Sequence, residues 1–134
     1  MGSTPSFTTH VEARNGVARL ALVGELDMGT APAFLEQLTW VDQDGASAVM
    51  LDLRDVTFVD STGLRAFLQA YERAKTRGYR LILVGANEHI RRLFALTRTD
   101  FLLGDEEAVT VLAQFTGQGR LDGSMPSARL DGHG

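Results

Sequence analysis

At 134 residues, 44% apolar and 22% charged, the chain has the make-up of one ordinary globular domain. Its net charge of −4 argues against a nucleic-acid binder that works through a basic surface, and Arg91, Arg92 and Arg98 read as part of a solvated helix face. The absence of cysteine excludes disulfides, thiolate metal sites and cysteine nucleophiles, and no apolar run approaches the roughly 20 residues that span a bilayer.

Residues 1–6 are small and polar and read as a disordered leader. They also fit the loose N-myristoylation template, but the match is short and Pro5 favours a plain extended segment. With no charged start and apolar core of a secretory signal, the expected compartment is the cytoplasm. Phe7–Glu12 and Val17–Glu25 read as strands, joined by Asn15-Gly16, a hairpin signal because both residues tolerate positive φ. Thr30 suits a helix N-cap and Pro32 the first turn behind it. Ala31, Phe34, Leu35, Leu38 and Val41 then recur at helical spacing, with Trp40 expected to complete the packing.

Ala48–Leu53 reads as a central strand, Arg54-Asp55 as a break, and Val56–Val59 as a lead into Asp60-Ser61-Thr62-Gly63-Leu64. A helix is expected from Thr62 to about Arg77, ended by Gly78. Tyr79–Val84 is a further strand, and Asn87 caps a helix bearing Ile90, Leu93, Phe94 and Thr97. Phe101-Leu102-Leu103 reads as a short strand, and Asp105 as the cap of a last helix with Val109, Leu112 and Ala113 or Phe115 inward. From residue 116 the composition turns Gly-rich and polar, which reads as a flexible tail over 116–134. Its two Arg-Leu-Asp-Gly copies, starting at Arg120 and Arg129, are too short for a repeat architecture. The expected fold is a single α/β domain over 7–115, a small mixed sheet of about five strands with four helices.

The turn at Asp60 carries the chemistry. A strand runs there into a helix start, where unpaired N–H groups and the helix dipole favour negative charge. A serine nucleophile needs a base, and none of His10, His89 and His133 is placed by a motif. There is no Walker loop or Gly-x-Ser-x-Gly elbow, and Asp52 and Asp55 lack the spacing of a metal set with Asp60. The residues therefore read as a non-enzyme with no metal and no cofactor of its own. Two readings of Ser61 and Thr62 stand side by side: ordinary caps of the helix, or a hydroxyl on which another enzyme acts.

These residues resemble a known family. Val49 to Leu64, with Asp60-Ser61-Thr62-Gly63-Leu64, is similar to the phosphorylation segment of STAS domains, specifically bacterial anti-sigma-factor antagonists. Gly24-Glu25-Leu26-Asp27 followed by Thr30-Ala31 resembles the second signature, and Arg80–Val84 with Ile90–Phe94 the later strand and helix. The resemblance covers about residues 7–115 and implies helices mainly on one face of the sheet. It implies that the unphosphorylated protein binds an anti-sigma factor that is also a serine kinase, releasing a sigma factor. Phosphorylation would end that binding and a phosphatase restore it. It implies Ser61 as phospho-acceptor, with Thr62 as second candidate, and Asp27, Thr30, Asp60, Thr62, Gly63 and Leu64 as the partner-binding surface. ATP would belong to the kinase; neither nucleic acid nor membrane is a direct partner. The alternative within the family is a scaffold or transporter-regulatory domain without a phosphorylation cycle.

Overall fold

A computed structural model describes residues 7–116. The expectations for residues 1–6, His133 and the tail beyond Thr116 lie outside them. The elements run β1 (Phe7–Arg14), β2 (Val17–Leu26), α1 (Ala31–Asp42), β3 (Ala48–Val59), α2 (Ser61–Arg77), β4 (Arg80–Val84), α3 (Glu88–Leu96), a 3-10 turn (Asp100–Leu102) and α4 (Glu106–Thr116). Asn15 and Gly16 have φ of 52° and 81°, the paired left-handed residues that a two-residue hairpin requires. Beyond the β1–β2 hairpin, β2, β3 and β4 are parallel neighbours, giving a sheet in the order β1-β2-β3-β4.

The sheet has four strands rather than about five. Phe101 and Leu102 lie in the 3-10 turn, and Leu103 makes only an isolated parallel bridge to Leu83. The apolar run there is too short to form a ladder, and its role is to cover the end of β4. The expected break at Arg54-Asp55 is also absent. β3 is continuous, and irregularity is absorbed as register shifts against β2, between Ala21 and Val23 and between Gly24 and Glu25.

Period-two alternation divides the sheet into two faces. Leu20, Leu22, Val49, Leu51, Leu53, Leu81 and Leu83 enter one core with α1, α2 and α3. Phe34, Phe67 and Phe94, one from each of those helices, join at centroid distances of 5.5 and 5.9 Å. The opposite face carries a smaller cluster, in which Ala108, Leu112 and Val111 of α4 cover Met50, Ile82 and Val84. Three helices thus share one face and α4 takes the other. The inward set of α4 is Ala108, Leu112 and Phe115, while Val109 and Ala113 are exposed. Trp40 does not finish the packing of α1: its side of the helix points to solvent and it is 63% exposed. Asn87 and Asp105 cap α3 and α4 as expected, through bonds from Ile90 N–H (2.8 Å) and from Glu107 N–H (3.0 Å).

Two buried carboxylates tie the layers together. Asp42, at the end of α1, accepts the Tyr79 hydroxyl at 2.5 Å and pairs with Arg73 of α2. On the α4 side Asp52 accepts from Arg54 at 2.9 and 2.8 Å and from Arg19 at 3.0 Å. Burial alone would push the Asp52 carboxyl up, but the Arg54 hydrogen bonds and the two guanidinium charges outweigh it and hold the group below the ordinary 3.8. A depressed carboxyl contributes stability that is present above the unfolded value and lost as pH falls through the folded one. Asp52→Asn should therefore cost about 3 kcal/mol at neutral pH, because it leaves two cations without their buried partner. In urea denaturation the gap between the variant and the parent should hold above pH 3.8 and narrow below it.

Candidate functional site

Parallel pairing brings the two sequence signatures together. Leu26 lies opposite Val59, so β2 and β3 end at the same edge of the sheet and their following turns are neighbours. The Asp60 N–H donates to the Leu26 carbonyl at 3.3 Å, tying one turn to the other. The start of α2 then descends onto the same carbonyl. A Cβ added at Gly63 would stand 2.3 Å from the Leu26 oxygen, so glycine is required for this approach. Gly63 is therefore a packing residue, and Leu64, 8% exposed, belongs to the core behind it.

The helix cap is Asp60. Its backbone is extended, with φ −105° and ψ −170°, and its Oδ1 accepts the Gly63 N–H at 2.9 Å. Its carbonyl accepts the Leu64 N–H at 2.9 Å. The reading in which Ser61 or Thr62 supplies the cap is thereby overturned, because a carboxylate already occupies the capping position. Ser61 is the first helical residue and is exposed, and Thr62 beside it is half-buried. Neither hydroxyl is hydrogen-bonded among the described residues.

On the neighbouring turn, Asp27 Oδ1 accepts the Gly29 and Thr30 N–H groups at 2.9 and 3.1 Å, an Asx turn. Thr30 occupies the N-cap position of α1 but makes no side-chain capping bond. Its Oγ1 instead accepts from the Asp27 N–H at 2.9 Å and donates to the Glu25 carbonyl at 2.7 Å. Thr30 therefore shapes the turn from within. The turn holds Met28 out in solvent, 73% exposed, and Phe58 at the end of β3 is 43% exposed. These two apolar side chains flank the signatures and were not singled out from sequence. Phe58 lies in the run that leads into the turn, and the bulged end of β3 turns it outward. Met28 carried no sequence signal, since its exposure follows from the Asx turn.

No described hydrogen bond joins Ser61 to a histidine: His89 is exposed on the first turn of α3 and His10 lies on β1. Asp52 is committed to Arg19 and Arg54, and no group of three His, Cys, Asp or Glu residues with metal-holding geometry occurs among the described residues. The chemistry available is that of an exposed hydroxyl beside two carboxylate-bearing turns at a helix start.

Comparisons with known proteins agree with this geometry. A family model described as the STAS domain matches residues 8–111. The anti-sigma-B factor antagonist of Bacillus subtilis (strain 168) is 36% identical over 92 residues, covering 69% of this chain and 84% of that protein. Its namesake from Staphylococcus aureus is 34% identical over 88 residues, covering 66% and 82%. Among solved structures, an anti-sigma factor antagonist from Mycobacterium paratuberculosis has a TM-score of 0.62 at 33% identity, over 81% of this chain and 97% of its own. The unphosphorylated form of the antagonist SpoIIAA shares the fold, with a TM-score of 0.64 at 18% identity over 82% and 97%.

The contact between α2 and β2 makes a direct test of this local architecture. Gly63→Ala is expected to destabilise by about 1–3 kcal/mol in chemical denaturation, since a backbone carbonyl cannot swing aside as a side chain does. Ser61→Ala, at an exposed side chain that caps nothing, is expected to stay within about 0.5 kcal/mol of the parent.

Proposed function

The chain belongs to the STAS domain family, and on that premise we propose that it is an anti-sigma-factor antagonist switched by phosphorylation of Ser61. The unphosphorylated form binds an anti-sigma factor that is also a serine kinase, and so frees a sigma factor for transcription. The kinase transfers the γ-phosphoryl group of its own ATP to Ser61 Oγ; the hydroxyl proton leaves to a base on the kinase and ADP is the second product. A phosphatase hydrolyses the phosphoester and restores the binding form. The protein is the regulated partner and performs no catalysis itself. Its work is done in the cytoplasm, where kinase and sigma factor meet; no helix among the described residues is long and apolar enough to cross a membrane.

One observation carries the assignment to Ser61. It is the exposed hydroxyl at the first position of α2, while Asp60 has already taken the cap. A kinase can therefore engage the hydroxyl without unmaking the helix start. The phosphate adds about −1.5 to −2 charges, and the positive end of the helix dipole accommodates them. The same charge falls beside Asp60 and at the same sheet edge as Asp27, concentrating negative charge on the docking surface. Met28 and Phe58 supply exposed apolar contacts there, the kind that a docking partner desolvates. Binding should thus respond far more than folding. The role of Thr30, Gly63 and Leu64 is to hold this surface in shape rather than to touch the partner.

The reading is tested by incubating the protein with cognate cell extract and ATP and mapping phosphate by mass spectrometry. Phosphate is expected on Ser61, and phosphate on Thr62 alone or on neither would overturn the assignment. Ser61→Ala should bind the kinase constitutively. Ser61→Asp should weaken the complex at least about tenfold with little change in melting temperature.

A further inference from the structure

We propose that β1 is a self-pairing edge, through which two copies of this chain join antiparallel about a two-fold axis at Val11. The two sheets would then form one continuous sheet. β1 spans eight residues and is hydrogen-bonded on one side only among the described residues, a strand long enough to template another. The two-residue turn at Asn15-Gly16 makes Arg14 and Val17 the closing hydrogen-bonded pair of the hairpin. Thr8, His10, Glu12 and Arg14 therefore direct their N–H and C=O groups to β2. Phe7, Thr9, Val11 and Ala13 direct theirs outward.

That parity restricts the register. Outward groups must meet outward groups, so the two-fold axis passes through a residue and not between two. Centring on His10 would set His10 against its own copy. Centring on Val11 sets His10 against Glu12 of the second copy, twice by symmetry, and places Thr8 opposite Arg14. His10 Nδ1 is buried without a hydrogen-bond partner among the described residues, and Glu12 uses one oxygen for Arg19 and keeps the other. Hydrogen-bond complementarity between His10 and the free Glu12 oxygen therefore selects the Val11 register.

A second observation points the same way. Thr39 and Asp42 face α2, where they contact Arg73, so the opposite flank of α1 carries Ala33, Gln37 and Trp40. α1 also packs against β1 and β2, which puts this flank on the side of the β1 edge. A second copy joined at β1 brings its own α1 to about 10 Å away, two strand spacings and an ordinary helix-packing distance. The exposed Trp40 then gains a partner. A two-fold axis perpendicular to the sheet sends the two Ser61 ends in opposite directions, so pairing leaves both switches accessible.

The test uses the full chain in analytical ultracentrifugation across a concentration series, with fluorescence of Trp40, its single tryptophan, as a second reading. The sedimenting mass should double as concentration rises, and Trp40 emission should shift to shorter wavelength over the same range. Thr9→Pro removes only an outward N–H and should weaken association at least about tenfold while circular dichroism stays unchanged. Trp40→Glu, at a side chain exposed in the single copy, should also weaken it and guards against a folding defect in the proline variant. Because the chain has no cysteine, Val11→Cys should form a disulfide-linked dimer under mild oxidation and His10→Cys should not. A mass that stays single at every concentration, a dimer indifferent to both Thr9→Pro and Trp40→Glu, or cross-linking through His10→Cys in preference to Val11→Cys would overturn the proposal.

Discussion

The organising constraint is a contact between two pieces of backbone. The start of α2 rests at Gly63 on the Leu26 carbonyl, and the same carbonyl receives the Asp60 N–H. Side chains can repack, but this approach leaves no room even for a methyl group. It fixes the height of α2 over the sheet, and with it the position of the helix's first residue. Parallel pairing of β2 with β3 supplies the other half, since it delivers both turns to one edge. What reaches solvent there is set by these two facts: the Ser61 hydroxyl, the Asp27 turn, Met28 and Phe58.

The rest of the molecule holds that edge rigid from behind. Phe34, Phe67 and Phe94 lock three helices to one another across the larger core. Asp42 clamps the far ends of α1 and α2 and the start of β4, at the end of the domain opposite Ser61. Burial and the bond to Asp42 push the Tyr79 hydroxyl well above its ordinary range, so it stays a donor in that clamp. On the other face Asp52, flanked by Arg19 and Arg54, fills with paired charge a region that α4 covers only in part. A domain braced in this way is suited to a switch that changes surface charge without changing shape.

Much of this was legible in the chain. The Asn15-Gly16 turn, the Asn87 and Asp105 caps and the Gly78 stop are local chemistry, and local chemistry is written in short stretches. The convergence of Leu26-Asp27 with Asp60-Ser61 followed from motif resemblance rather than periodicity, because register between distant strands leaves no local mark. Two features of the fold differ from what the sequence suggests. Phe101–Leu103 has strand composition, but Phe101 and Leu102 are taken up by a 3-10 turn, and only Leu103 is left to bridge β4. Arg54-Asp55 looks like a break because it is charged, yet Arg54 turns back onto the buried Asp52. Gly63 and Leu64 adjoin Ser61 along the chain, while the helix twist and the Leu26 contact send their own positions inward.

In the proposed switch, charge added at Ser61 alters what the surface binds and leaves the helix start intact. Amide hydrogen exchange on the phosphorylated and unphosphorylated protein tests it most directly. Protection is expected to stay unchanged at the Gly63 and Leu64 amides, held by Asp60, and at the Asp60 amide, held by the Leu26 carbonyl. Loss of protection at Gly63 and Leu64 on phosphorylation would mean that the phosphate displaces the Asp60 cap and opens the first turn of α2, and would contradict it.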